Sequence, residues 1–344
     1  MLFPSTRAVL LSTAAIAMSQ FATAHDRTTA LDHAPIGVMG DHLHKKGEIM
    51  TSVRLMHMTM DGNRTDTDRQ SQDQVHQAGF PVAPTSMPMQ MLMAGMMYAP
   101  SDEVTVMVML PYIQQEMDHH LCMPPATAPA CGGNEREFTT KSNGIGDLKL
   151  SAMIGMADVV DANAHFTVGV NVPTGSIDQS DDTPAGNAAL PYAMQPGSGT
   201  WDVRLGFTYN SKLADKSSWG AQSGLTFRTG ENDRGYRLGN RGHATAWIAH
   251  EVSKSLSGSV RAEAVRWSDV NGANLGGMAP TQRADLRAGE RLDIGFGVNW
   301  AAQGDSLNGQ RLAFEVMLPT YQDLDGPQLE TDLSVTVGWQ KAWH

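Results

Sequence analysis

The segment "TDLSVTVGWQKAW", Thr331 to Trp343, alternates residue by residue. Leu333, Val335, Val337, Trp339 and Trp343 fall on one side, and Asp332, Ser334, Thr336, Gly338 and Gln340 on the other. Side chains of an extended chain point to opposite faces at successive residues, so this period of two specifies a strand with one apolar face. The pattern recurs in "RLDIGFGVNW" (Arg291 to Trp300), "HFTVGVNV" (His165 to Val172) and "TWDVRLGFTY" (Thr200 to Tyr209). Helical spacing fits these windows poorly. The chain is therefore expected to be all-β.

About twelve such windows can be read, near 48–60, 87–98, 103–113, 147–156, 165–172, 201–209, 219–229, 243–252, 256–267, 291–300, 311–319 and 332–343. Their connections alternate between short turns and longer stretches rich in Gly, Pro, Asp and Asn. Apolar faces end in aromatics at strand tips (Tyr98, Tyr112, Trp201, Tyr209, Trp219, Trp300, Trp339, Trp343), whereas the opposite faces carry mid-strand charges such as Arg54, Lys149, Arg204, Arg261 and Glu315. An even number of antiparallel strands, interfacial aromatics and loops of unequal length at the two ends describe a transmembrane up-and-down β-barrel. We expect short periplasmic turns, long extracellular loops and a barrel over 48–344. A soluble β-sandwich accounts for the alternation but leaves the loop asymmetry unexplained.

The first residues fit this address. Arg7, the apolar run Ala8 to Ala17 and the small residues Ala22-Thr23-Ala24 form a secretory signal over 1–24, which places the protein in the outer membrane of a Gram-negative bacterium. No helical span is long enough to cross a bilayer. The formal charge of −11 and the lack of a basic cluster exclude nucleic acid as an expected partner. Outer-membrane lipid and lipopolysaccharide are the expected surroundings, with Arg234 and Arg237 as candidate phosphate contacts. In an oxidising compartment Cys122 and Cys131 are expected to form a disulfide.

Methionine is the compositional oddity. Met50, Met56, Met58 and Met60 share one parity of the first strand, Met87, Met89, Met91, Met93 and Met97 one parity of the second, and Met107 and Met109 the polar face of the third. These methionines are expected to line the lumen, with Met96 the exception. Histidines accompany them. His25, His33, Met39, His42 and His44 lie in the segment 25–47, a candidate periplasmic plug, and Met117, His119, His120 and Met123 follow the third strand. Thioethers ligate Cu(I) and imidazoles suit copper and zinc. A channel for soft metal ions, copper first, working with periplasmic metal-handling proteins, is thus one expectation. A channel for small hydrophobic or aromatic compounds is the second, and a structural surface barrel with a closed lumen the third. No enzyme is expected: Ser223 and His243 could be nominated as nucleophile and base, but sit in no recognisable motif.

Several stretches together, "HAPIGVMGDHLHKKGEIM", "MYAPSDEVTVMVMLPY", "GIGDLKL", "PTGSIDQSDDTPAG", "ENDRGYRLGN" and "YQDLDGPQLETDLSVTVGWQ", resemble a family of Gram-negative outer-membrane proteins labelled as transporters and related to the barrel proteins of a MetA pathway of phenol degradation. The resemblance covers nearly the whole mature chain. It implies a barrel with a transport role and offers aromatic uptake as a substrate class, without assigning functional residues.

Overall fold

The computed structural model describes residues 29–123, 131, 135–156, 162–304 and 307–343. The expected signal sequence over 1–24, His25 and His344 lie outside these residues. Alternating residues build one antiparallel sheet that closes on itself. Its staves are β1 (Ile49–Asp66), β2 (Met89–Ser101), β3 (Val104–Cys122), β4 (Glu135–Ile145 continued by Leu148–Gly155), β5 (Ala162–Val172), β6 (Asp202–Ala214), β7 (Ser217–Arg228), β8 (Arg241–Ser253), β9 (Leu256–Trp267) and β10 (Gly289–Ala301). The continuous extended segment Gln310–Trp343 supplies the last two. Its first limb, β11, pairs with β10 from Arg311 to Leu324, and its second, β12, pairs with β1 from Leu324 to Trp343. The β1–β12 pairing closes a ring of twelve staves among the described residues.

Closure leaves no sheet edge, which an open sheet could not tolerate in lipid, where unpaired N–H and C=O groups find no water. The outward parity is apolar and exposed: Val53 and Leu55 on β1, Leu92 and Met96 on β2, Val106 and Leu110 on β3, Phe296 and Val298 on β10. The inward parity is buried and mixed. One sector carries methionines. The opposite sector, β6 to β11, carries ion pairs, including Arg228–Asp202, Arg261–Glu315 at 2.8 Å and Arg291–Asp293 at 2.9 Å. Eight-stranded barrels are filled by side chains and sixteen-stranded ones hold open water channels, so twelve staves leave room that long side chains and one extra segment can fill.

Several strands run further than the sequence windows. The stretch 114–146 reads as a loop because its outward residues turn polar after Ile113, yet β3 continues to Cys122 and β4 begins at Glu135. The inward alternation persists through Gln115, Met117, His119 and Leu121. A membrane strand needs only about 9–11 residues. The hairpin thus projects beyond the apolar band, where an outward polar residue costs nothing. The expected loop 320–331 likewise lies within continuous strand.

At the short-turn end, residues 29–48 run inside the barrel. The Ala30 N–H donates to Lys254 C=O at 3.0 Å, Ser257 Oγ to Ala30 C=O at 2.9 Å, and Asn299 Nδ2 to His33 C=O at 3.3 Å. Further along, the Gly37 N–H donates to Glu315 Oε2 at 2.9 Å, Gln222 Nε2 to Met39 C=O at 3.0 Å, and the His44 N–H to Thr105 Oγ1 at 2.9 Å. The segment crosses from the β8–β11 wall to the β3 wall. At the other end the loops fold inward over the mouth, with Tyr192, Tyr236, Val270 and Ala284 in one cluster and Val75, Phe80 and Ala83 in another.

Candidate functional site: an apolar track through the barrel

Strand pairing brings methionines from separate windows together. Met50 lies opposite Met97, Met56 opposite Met91, and Met58 opposite Met89 across β1–β2, and Met97 opposite Met107 across β2–β3. Met50, Met93, Met97, Met107, Met109 and Met153 form one buried cluster with Leu43 of the N-terminal segment, and Met39 and Met91 pack against it. Met87, Met117, Met194 and Leu190 form a second, bordered by Met60 and Leu329. Met56, Met58 and Met89 are half-buried between the two. Met96 stands on the outer face, 50% exposed.

Met153 is placed inward by the sequence pattern, whereas Met194 lies outside the expected set. Met153 shares its parity with Lys149 and Ser151 on β4, a signal present in the sequence. Met194 sits in the loop 173–201 and reaches the cluster by tertiary folding that no periodicity encodes. Thr140 Oγ1 lies 3.4 Å from its sulfur.

The loop residues beside the projecting hairpin form a half-open, mostly apolar cavity of about 120 Å³, lined by Val82, His119, Leu121, Phe138, Leu190 and Met278, among others. An apolar cavity of ~150 Å³ accepts benzene. His119 is buried and stacks on Phe138 with ring centroids 4.6 Å apart and planes inclined by 6°. It lies on the part of β3 that projects past the apolar band. Burial there lowers its pKa to about 4, leaving the imidazole neutral at neutral pH. Leu190 lines this cavity and also belongs to the second methionine cluster. Leu190 thus links the cavity to the second cluster, and Met56, Met58 and Met89 lie on the strands between that cluster and the first, with Gln115 beside Met89 as a polar member.

The remaining expected residues separate into distinct places. His120 Nδ1 lies 2.8 Å from His76 Nε2, outside the cavity, and Met123 is exposed. Cys122 and Cys131 are joined as a disulfide. His33 and His42 lie near each other in the N-terminal segment, while His44 Nδ1 contacts Glu48 at 3.0 Å. His42 and His44 flank Leu43 of the first methionine cluster, whereas His120 pairs with His76 outside both clusters. Ser223 pairs with Ala244 and Gly224 with His243, so Ser223 and His243 point to opposite sides of the barrel wall and cannot act as a pair.

Lys149, Arg204 and Arg241 point into the interior and make no ion pair among the described residues, and Lys149 lies within Coulombic reach of both arginines. Arg204 donates to Ser151 Oγ at 3.4 Å. The interior therefore pairs an apolar sector with a cationic one.

A family model described as "Putative MetA-pathway of phenol degradation" matches residues 102–316, more than half of the chain. No curated protein sequence matches significantly. Among solved structures, an outer membrane channel from Pseudomonas putida F1 superposes with a TM-score of 0.63 at 14% identity, covering 89% of this chain and 99% of that one. A Pseudomonas aeruginosa FadL homologue (TM-score 0.42, 9% identity, 94% and 100% coverage) and the P. putida toluene transporter TodX (0.42, 10%, 88% and 91%) resemble it more loosely. The first of these matches corroborates the outer-membrane barrel fold.

Proposed function

The chain belongs to this family of outer-membrane barrels, and from that premise we propose that it passes small hydrophobic or aromatic compounds across the outer membrane. The observation that carries the reading is Leu190, which lines the loop cavity and packs in the second methionine cluster, on the same inward face as the first. A solute captured in the cavity meets mainly thioether, aliphatic and aromatic groups on its way inward, with Gln115 beside Met89 and Thr140 beside Met194 as polar members. Methionine is suited to such a path because its three rotatable bonds let it yield and reclose around solutes of different shape. The N-terminal segment acts as the periplasmic plug at the far end, and its displacement or rearrangement completes passage. The role is transport and not catalysis.

Soft-metal passage is the weaker reading. The methionine clusters pack with leucines, with Leu43 in one and Leu190 and Leu329 in the other, while His44 Nδ1 contacts Glu48 and His120 pairs with His76. Thioethers packed this way fit apolar contact better than a series of ion sites.

Accumulation of labelled toluene and phenol in cells lacking other channels tests the proposal. Met117→Asp and Leu190→Asp, which place a charge in the track, are expected to lower uptake at least tenfold. Replacing Met89, Met91, Met93 and Met107 by Leu is expected to preserve both uptake and copper tolerance. Undiminished uptake in both Asp variants, with the barrel intact by heat-modifiable gel mobility, overturns the reading. A loss of copper accumulation in the Leu variant restores the metal one.

A further inference from the structure

The N-terminal segment carries a cluster that the apolar track does not use. One ligating atom each of His33, Asp41 and His42 lies within 4.8 Å of the other two. The His33 and His42 rings are 5.6 Å apart between centroids, and His44 extends the row with its ring 4.7 Å from His42. Asp41, His42 and His44 are all buried. Asp41 Oδ1 lies 2.8 Å from His42 Nδ1, and its Oδ2 accepts the Ala34 N–H at 3.0 Å. His44 Nε2 is buried without a hydrogen-bond partner among the described residues, an unusual cost for a polar atom.

We propose that His33, Asp41 and His42 bind one divalent transition-metal cation of the zinc class, with His44 or water completing the shell. Two imidazoles and a carboxylate are a donor set for such ions, with three protein ligands leaving one position to fill. A thioether-selective Cu(I) site needs different donors. Separations of up to 4.8 Å exceed those around a bound ion only modestly, since ligands at about 2.0–2.2 Å from a tetrahedral centre stand roughly 3.5 Å apart.

The position gives the ion a specific consequence. His33 C=O accepts from Asn299 on β10, Ala34 C=O accepts from Arg311 on β11, and Asp41 C=O accepts from Asn210 on β6. The ligands thus close a loop whose ends are anchored to opposite walls. Bound metal would clamp the segment across the barrel, making plug stability depend on the ion. Without an ion, Asp41 still closes the loop through the Ala34 N–H, so the fold of the segment does not require metal.

The test uses the full mature chain, purified in detergent, stripped with EDTA and titrated with Zn²⁺ alone against a chromophoric chelator. One equivalent is expected to bind at pH 7.5, with affinity falling at least tenfold in His33→Ala and in His42→Ala. Asp41→Asn, which keeps an acceptor for the Ala34 N–H, is expected to weaken binding while leaving gel mobility of the folded barrel unchanged. His25→Ala separates this site from chelation at the chain's N-terminus and is expected to retain the equivalent. Cysteine labelling of Val38→Cys from the short-turn side should slow when Zn²⁺ is added. Less than about 0.2 equivalents on the wild-type chain, or full binding in the His33→Ala/His42→Ala double variant, overturns the proposal. Loss of the equivalent in His25→Ala alone also overturns it.

Discussion

The attachment of the N-terminal segment to the wall can be loosened at one carboxylate. Glu315 is 1% exposed and holds three donors: Arg261 Nε at 2.8 Å, an Arg261 terminal nitrogen at 3.1 Å, and the Gly37 N–H at 2.9 Å. Arg261 has a second partner in Glu263 at 3.0 Å, so Glu315→Ala leaves the arginine paired but strips Gly37 of its acceptor. Breaking a buried ion pair costs about 3–5 kcal/mol. The share felt by the segment is one hydrogen bond to a charged group, about 1.5–3 kcal/mol. At ~1.4 kcal/mol per decade, the released state of the segment should rise roughly 10- to 150-fold.

Gly37 supplies an independent route to the same state. A Cβ at this position would lie 2.3 Å from Glu315 Oε2 and 2.5 Å from Arg261. Gly37→Ala therefore crowds the buried Glu315–Arg261 pair, which is held by its own hydrogen bonds, and sets it against the segment without removing a charge. The assay is labelling of Val38→Cys, buried beside Ala34 and Trp247, together with single-channel recording in planar bilayers. Both variants should label faster and open more often, and Glu315→Gln, which keeps one acceptor, should fall between them and wild type. If labelling and opening stay at the wild-type level in both Glu315→Ala and Gly37→Ala while the barrel remains folded, the segment is not held by this contact and the plug reasoning fails.

Three other outcomes follow from the same geometry. His119 titrates near pH 4 when buried and near 6.5 when exposed, so between these values only the opened state takes up a proton; closure of the loop cavity should weaken as pH falls from about 6.5 to 4, by up to ~3 kcal/mol. Hydrogen exchange of the 173–201 loop read from pH 7.5 to 4 measures this, and His119→Phe should flatten the profile. In a Glu315→Ala background, replacing Lys149, Arg204 and Arg241 with Gln should shift the reversal potential in a salt gradient away from anions, because each interior cation favours a nearby anion by ~1 kcal/mol or more; an unchanged reversal potential would place the ion path elsewhere. Met96→Arg, on the lipid-facing parity, should cost ~2–4 kcal/mol in urea unfolding from lipid vesicles if the residue sits near the bilayer midplane, whereas Met96→Leu should be close to neutral.

Alternation alone was sufficient for the architecture, because a period of two leaves the backbone no choice but strand, and the antiparallel closure follows from the bilayer's intolerance of free edges. It failed where its cause ended. Past the apolar band β3 and β4 keep their inward pattern, but outward residues such as Glu116 and Asp118 meet water, so the stretch reads as a loop.

For the site, parity placed Met50, Met97 and Met107 on one face of their strands, since that depends on spacing alone. Three matters were decided by the tertiary structure. Strand register put Met50, Met97 and Met107 within one cluster. Loop folding brought Leu190 and Met194, which share no period with any strand, to join the cavity to that interior. The path of residues 29–48 across the lumen gathered His33 with Asp41 and His42, from which it stands apart in sequence, into one cluster. Spacing along a strand is a local property written in the order of residues. Which side chains meet across a barrel depends on register, closure and loop descent, and these are settled only when the whole ring forms.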